Sequence, residues 1–203
     1  VVARQLRVPK KIAAFADLVT QQTVRRIDGG EANGRRFLLG IGAGLDAMIA
    51  KLVSAQKGGP GGLARWFAPA VLGVLHFNHA PIRIEVDGEV VTESSSYAIV
   101  ANCRFSAGVF PVTRRAHVDD GLLDLCAMHR LSVPKLAWYA AAVWSPRFPE
   151  RRDVVYRQGT EFMLEAASDL PVPLQVDGEP AGFLPARCRV LPKTFTLVAP
   201  PAG

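Results

Sequence analysis

The chain reads as an α+β protein built on an antiparallel β-sandwich with flanking helices. From Pro81 onward, short runs alternate apolar and polar residues, with turn signals between them at close spacing. Helical apolar spacing is confined to the first third and one mid-chain stretch. The 203 residues, 49% apolar and 21% charged, suffice for one substantial core. Cys103, Cys126 and Cys188 are an odd number at wide spacing within apolar stretches. They read as small core residues in a reducing compartment, with no disulfide framework and no CxxC metal signal. The apolar runs 66–77 and 136–144 are shorter than the roughly 18 residues of a spanning helix. No segment has a signal-peptide pattern, and a start at Val1-Val2-Ala3 reads as a piece of something longer.

Taken in order, Pro9 is expected to open a first helix, with Ile12, Phe15, Leu18 and Val19 on one face. A strand over 23–28, a loop from Gly29-Gly30 to Gly34 and a second strand over 36–41 follow. Asp46 then opens a helix through Leu52, and the glycine-rich run 58–62 breaks the chain. The next helix, 62–78, is too apolar for a one-sided surface helix, so it is either deep core or the wall of a lipid-accommodating cleft. His76 and His79 have no third ligand nearby in sequence, which argues against zinc. Strands are expected at 82–87, 90–93, 95–102, 121–128, 152–157, 160–166, 172–177, 186–191 and 194–199. A helix over 133–145 is entered through Ser132 and Pro134.

Three features bear on chemistry. Gly40-Ile41-Gly42-Ala43-Gly44 contains GxGxG, yet it lacks the in-register third glycine and the later acidic residue of a dinucleotide site. It reads as a glycine-rich strand end that something approaches closely, and Asp46 either favours the helix N-terminus or has a functional role. Val176-Asp177-Gly178-Glu179 is a tight hairpin that holds Glu179 on a fixed backbone, as a general base or as a solvated turn residue. Asp177 is expected to spend its side chain on local backbone bonds. Val86-Asp87-Gly88-Glu89 repeats the turn with no sign of chemistry, so the hairpin alone cannot choose between them. Finally, net charge is +6, and residues 1 to 65 hold eleven Lys and Arg against four Asp and Glu. That asymmetry suits an anionic partner, phosphate or membrane surface, while the scattered basic pairs without aromatic motifs argue against nucleic acid.

Phe37 through Ala47, Val100-Ala101-Asn102, Asp119-Asp120-Gly121-Leu122-Leu123-Asp124-Leu125 and Val176-Asp177-Gly178-Glu179-Pro180 together resemble the C-terminal domain of the diacylglycerol kinase catalytic family, which includes bacterial lipid kinases and sphingosine and ceramide kinases. The resemblance runs from about Ala3 to Val198. It implies the second domain of a two-domain lipid kinase, with 1–28 a remnant of the nucleotide-binding domain, 29–193 the sandwich and 194–203 a segment returning to the junction. The family's GGDGT phosphate loop is absent from this sequence, which implies a chain inactive on its own. Segment 108–116 departs from the family, with fewer glycines and Arg114 near a usual proline. The resemblance further implies phosphate transfer from ATP to a lipid hydroxyl, with Glu179 as the base and Asp46 facing the lipid head. It implies Mg²⁺ held by Asp120 and the carbonyls of His117 and Leu122, a hard-cation ligand set. The expected partners are a lipid substrate, an anionic membrane surface and the nucleotide domain, and the expected location is cytoplasmic and peripherally membrane-associated. The competing reading is a stand-alone lipid- or partner-binding sandwich without catalysis.

Overall fold

The computed structural model describes residues 1–55, 64–76, 80–106, 110–129 and 132–201, with the side chains of 64–67 and 74 left aside. Two antiparallel six-stranded sheets face each other. The first is ordered β2 (Arg35–Phe37), β1 (Val24–Ala32), β12 (Ala186–Val198), β9 (Glu161–Ala166), β4 (Ile82–Val86) and β5 (Glu89–Ser95). The second is ordered β11 (Glu179–Phe183), β10 (Pro173–Val176), β3 (Gly40–Gly44), β6 (Tyr97–Ala101), β7 (Leu123–Met128) and β8 (Val154–Gly159). Ile82, Ile84, Val100, Leu123, Leu125, Phe162, Leu164 and Leu174 fill the space between the sheets.

Alternation assigns the other face of the second sheet to the helices. Ala98 and Val100 point into the sandwich, while Tyr97, Ile99 and Ala101 join Leu45, Ile49, Tyr139 and Val143 in a second apolar cluster. These helical residues come from α3 (Leu45–Ser54) and from α5 (Val133–Ala142) with the residue that ends it. Helix α4 (Ala64–His76) packs on α3 at Gly73, where a Cβ would lie 2.9 Å from Ile49 Cγ1. Ser132 caps α5 by accepting from the Lys135 N–H, as the sequence indicates. Both faces of β3, β6 and β7 are buried, so these strands carry apolar residues on both sides, broken in β7 by the buried Asp124, whereas β4 alternates.

Several sequence expectations are corrected. Pro9 does not open a helix: α1 (Val2–Gln5) precedes it and α2 (Ile12–Thr20) starts three residues later, from an uncapped Lys11. Helix α2 buries no residue, and Ile12 is 87% exposed. Gly29 and Gly30 lie within β1 and not in a loop. They are glycines because the rings of Phe195 and Phe37 lie on the backbone there, 2.3 and 2.0 Å from a built Cβ. The turn comes at Asn33-Gly34, with φ of 48° and 82°. The strand expected over 36–41 divides at Leu38-Leu39 between the two sheets. The two strands expected near the C-terminus are one, β12, with Lys193 at φ 50° opposite an irregularity at Asp28 of β1. That ladder pairs Val24 with Val198, so the sheet continues past both edges of the expected 29–193 unit. Strand β11 had no clear alternation to reveal it. The break at 58–62 lies outside the described residues, as does His79.

Candidate functional site

Between α3, α4, α5 and the helical face of the second sheet lies a cavity of about 560 Å³. Ile49, Ala70, Val71, Phe110, Val112, Met128, Leu136 and Val143 give it apolar walls, and Trp144 stands at its edge half exposed. Helix α4 therefore walls a cleft, one of the two fates its composition left open. A cavity of this size and lining accommodates a ligand of small-molecule dimensions with a large apolar part.

The carboxylate at the cavity is Asp46. It lies in the first turn of α3, where the helix N-terminus favours negative charge. Gln175 Nε2 donates to its Oδ2 at 2.9 Å, and the buried Tyr97 also hydrogen-bonds to it. Burial nevertheless dominates and pushes Asp46 up to about 6. The surface it retains faces the cavity. Gly42 makes the arrangement possible: a Cβ there would sit 1.8 Å from Asp46 Oδ2 and 2.6 Å from Gln175 Nε2. The close approach expected of the glycine-rich strand end is thus made by the chain's own carboxylate. The glycines at 40–44 form a strand, with no phosphate-binding turn.

Gln175 links this carboxylate to the hairpin. Its Oε1 accepts from the Gly178 N–H at 2.6 Å while its Nε2 holds Asp46. One side chain therefore spans from the cavity to the turn that precedes Glu179. Asp177, at φ 51°, does not make the local bonds expected of it. Its carboxylate accepts from the N–H groups of Leu38, Leu39 and Gly40 at 2.9, 2.8 and 3.0 Å. These bonds turn the chain out of β2 and into β3, which is why the expected 36–41 strand divides. Glu179 opens β11 with 75% of its side chain exposed and meets Arg35 at 2.6 Å. Sequence reasoning selected neither Gln175 nor Tyr97. A polar residue at a buried strand position next to a turn was the available signal for Gln175; for Tyr97 there was none.

The Asp119-Asp120-Gly121 turn is held from elsewhere. Asp119 pairs with Arg25 at 2.6 Å, and Asp120 Oδ1 accepts from the Leu122 N–H at 3.1 Å. The fully buried Asp28 accepts from the N–H groups of Gly121 and Lys193, both at 2.7 Å. Its carbonyl accepts from Asn102 Nδ2 at 2.7 Å. Burial raises Asp120, assisted by the nearby Asp28 charge and opposed by the Leu122 N–H and by His117. No described donor reaches the carbonyls of His117 or Leu122. One carboxylate and two carbonyls are the kind of all-oxygen donor set that a hard cation takes. Among the described residues no group of three acidic, His or Cys side chains could hold a metal, and a carbonyl-rich site needs none.

The architecture defines the class, a two-sheet antiparallel sandwich with helices covering one face. The chain belongs to the YegS C-terminal NAD kinase beta sandwich-like domain family, whose model matches residues 40–199. This is the C-terminal domain family of diacylglycerol kinase-like proteins. Diacylglycerol kinases from two Staphylococcus aureus strains, RF122 / ET3-1 and JH9, are each 24% identical over 198 residues, 97% of this chain. The chain spans 62% of their length. A diacylglycerol kinase structure from Bacillus anthracis Sterne superposes with a TM-score of 0.69 at 20% identity, over 98% of this chain and 62% of that one. A provisionally named diacylglycerol kinase from the same strain gives 0.74 at 23%, over 98% and 64%. These two likenesses establish the fold. No described helix is long and apolar enough to cross a membrane.

Proposed function

We propose that the chain is the lipid-binding, base-supplying domain of an ATP-dependent lipid kinase of the diacylglycerol kinase type. The observation that carries this reading is the apolar cavity with one carboxylate, joined through Gln175 to the hairpin that bears Glu179. An amphiphile's chains fill the cavity and its polar head hydrogen-bonds to Asp46. Glu179 orients the lipid hydroxyl and takes its proton as the bond to phosphorus forms, which is most of what phosphoryl transfer asks of a side chain. Arg35 pairs with Glu179 at 2.6 Å. ATP is bound mainly by a nucleotide-binding domain outside this chain, carrying a Gly-Gly-Asp-Gly-Thr loop. Asp120 and the carbonyls of His117 and Leu122 would hold Mg²⁺, whose charge would offset that of the acidic turn. The basic first third docks on an anionic membrane surface from the cytoplasmic side, each Lys or Arg adding about 1 kcal/mol.

A second reading has two observations in its favour. Glu179 is already committed to Arg35, and the cavity is walled by this chain's own helices, as a stand-alone lipid-binding sandwich without catalysis would require. The shared part is tested by titrating 1,2-dioctanoylglycerol while following Trp144 emission. Saturable binding is expected, lost in Ala140→Phe, which fills the cavity, with an unchanged melting temperature. Equal binding by the filled variant overturns both readings. The coding sequence upstream of Val1 separates them: an in-frame Gly-Gly-Asp-Gly-Thr favours the kinase, and its absence the binding module.

A further inference from the structure

A second concavity, of about 450 Å³, lies away from the lipid cavity, where α1, the segment after β6, the 116–119 segment and Pro200-Pro201 meet. Its walls carry the guanidinium groups of Arg4, Arg7, Arg25 and Arg104, and a single carboxylate, Asp119. Three of the arginines are anchored separately. The Arg4 guanidinium lies over the Phe105 ring, 4.1 Å from its centroid. The Arg25 side chain is fixed by Asp119 at 2.6 Å, and Arg104 is held through its backbone N–H, which donates to Gln5 Oε1 at 2.7 Å. Four cations against one acid make an electropositive hollow and not merely a basic surface.

An independent observation says what is lacking. Among the described residues, four buried side-chain polar atoms have no hydrogen-bond partner, and two of them are Nε of Arg25 and Nε of Arg104. Buried donors are almost always paired, so two unpaired guanidinium N–H groups within the wall of one hollow mark a wall short of acceptors. The ligand must bring acceptor oxygens, more than one negative charge and modest size. We propose that this hollow binds a phosphomonoester group, taken with bidentate arginine geometry. The proposal does not depend on the lipid-kinase reading. It also differs from docking on an anionic surface, because a concave site selects one headgroup or one small phosphate, whereas a flat basic face responds only to charge density.

The experiment titrates the chain by calorimetry with glycerol 3-phosphate and, separately, sediments it with phosphatidylcholine vesicles containing or lacking phosphatidic acid. Arg104→Ala is compared with Arg115→Ala, which removes an exposed arginine outside the hollow that pairs with Glu150. Arg104→Lys keeps the charge and loses the fork. Saturable glycerol 3-phosphate binding, weakened at least tenfold by Arg104→Ala, partly kept by Arg104→Lys and untouched by Arg115→Ala, identifies a soluble phosphomonoester site. Phosphatidic acid-dependent sedimentation with the same ranking of variants, but without soluble binding, identifies a lipid phosphate. If neither probe saturates, or if Arg104→Ala and Arg115→Ala weaken binding equally, the proposal is wrong. Should Arg104→Ala fail to fold, the ranking of Arg104→Lys against Arg115→Ala decides.

Discussion

Two hairpins in this molecule share a four-residue sequence and nearly the same backbone. Asp87 and Asp177 sit at φ 49° and 51°, the glycines after them at 85° and 88°, and Val86 pairs with Glu89 as Val176 pairs with Glu179. Both aspartates use their carboxylates to collect N–H groups from a segment far away in sequence. Asp177 takes those of Leu38, Leu39 and Gly40, and Asp87 takes those of Thr160 and Glu161 together with the Thr160 hydroxyl. The aspartate is thus a structural clasp in both places. The turns part at the residue before the valine. Glu85 points to solvent and pairs with Arg83, while Gln175 points inward and bonds Asp46 on one side and the Gly178 N–H on the other. They part again at the glutamate: Glu179 meets Arg35, and Glu89 makes no ion pair among the described residues. A hairpin motif therefore gives a rigid platform, and its neighbours decide whether anything is mounted on it.

The largest expected effect lies at the two glutamates. In an enzyme that includes the nucleotide domain, Glu179→Gln should cut turnover by about a hundredfold to ten-thousandfold, the usual cost of a lost positioned base. Glu89→Gln should change it less than twofold. Steady-state kinetics with intact folds verified by circular dichroism checks this. Comparable losses from both, or a larger loss from Glu89→Gln, would show the two turns to be equivalent or the assignment reversed.

A smaller difference is expected one position ahead of the valines. Gln175→Leu leaves the buried Asp46 without one donor and the Gly178 N–H without an acceptor, which should cost roughly 2–3 kcal/mol. Glu85→Leu breaks an ion pair whose side chains are 28% and 31% exposed, next to further partners of Arg83 at Glu93 and Glu165. Such pairs are worth about 0–1 kcal/mol. Urea unfolding of the two variants measures both. A Gln175→Leu variant as stable as Glu85→Leu would mean that the link from the cavity to the hairpin carries no strain or load.

The same comparison explains what could be read beforehand. Alternation and turn residues located both hairpins and most strands, because period and turn chemistry are local properties. The class and the position of α5 followed from the same kind of signal. Apart from the helix start expected at Pro9 and the unpatterned β11, what failed was non-local. Gly29 and Gly30 look like a loop until the rings of Phe37 and Phe195 are seen lying on them, and the 36–41 strand looks whole until Asp177 reaches its amides across about 140 residues of chain. Asp46 could be singled out from its place after the glycines, but not its partners Gln175 and Tyr97, since nothing in their spacing relates them to it.

The smallest expected effect, and the one with the clearest sign, is the pH dependence of Asp46. Its pKa in the folded chain, about 6, is above the ordinary 3.8, because burial penalises the charged form more than the bonds from Gln175 and Tyr97 reward it. Between those values the folded state binds a proton that the unfolded chain does not. This group's contribution therefore favours folding below about pH 4, is withdrawn as pH rises through 6, and leaves the charged carboxylate a net cost at pH 7. Asp46→Asn removes that cost but keeps an acceptor for Gln175 and Tyr97, with weaker, uncharged bonds. The balance should be a gain of about 1 kcal/mol at pH 7.5 and no gain at pH 4. Asp87 supplies the opposite case within the same molecule. Burial acts to raise it, but the Glu161 N–H, the Thr160 hydroxyl and the Thr160 N–H prevail and hold it below the ordinary value. Its stabilisation is present at neutral pH and is lost as pH falls through that lowered value. Asp87→Asn should accordingly destabilise at pH 7.5 where Asp46→Asn stabilises. Melting temperatures at the two pH values test the pair, and equal signs at pH 7.5 would show that the cavity carboxylate is not held at an electrostatic cost.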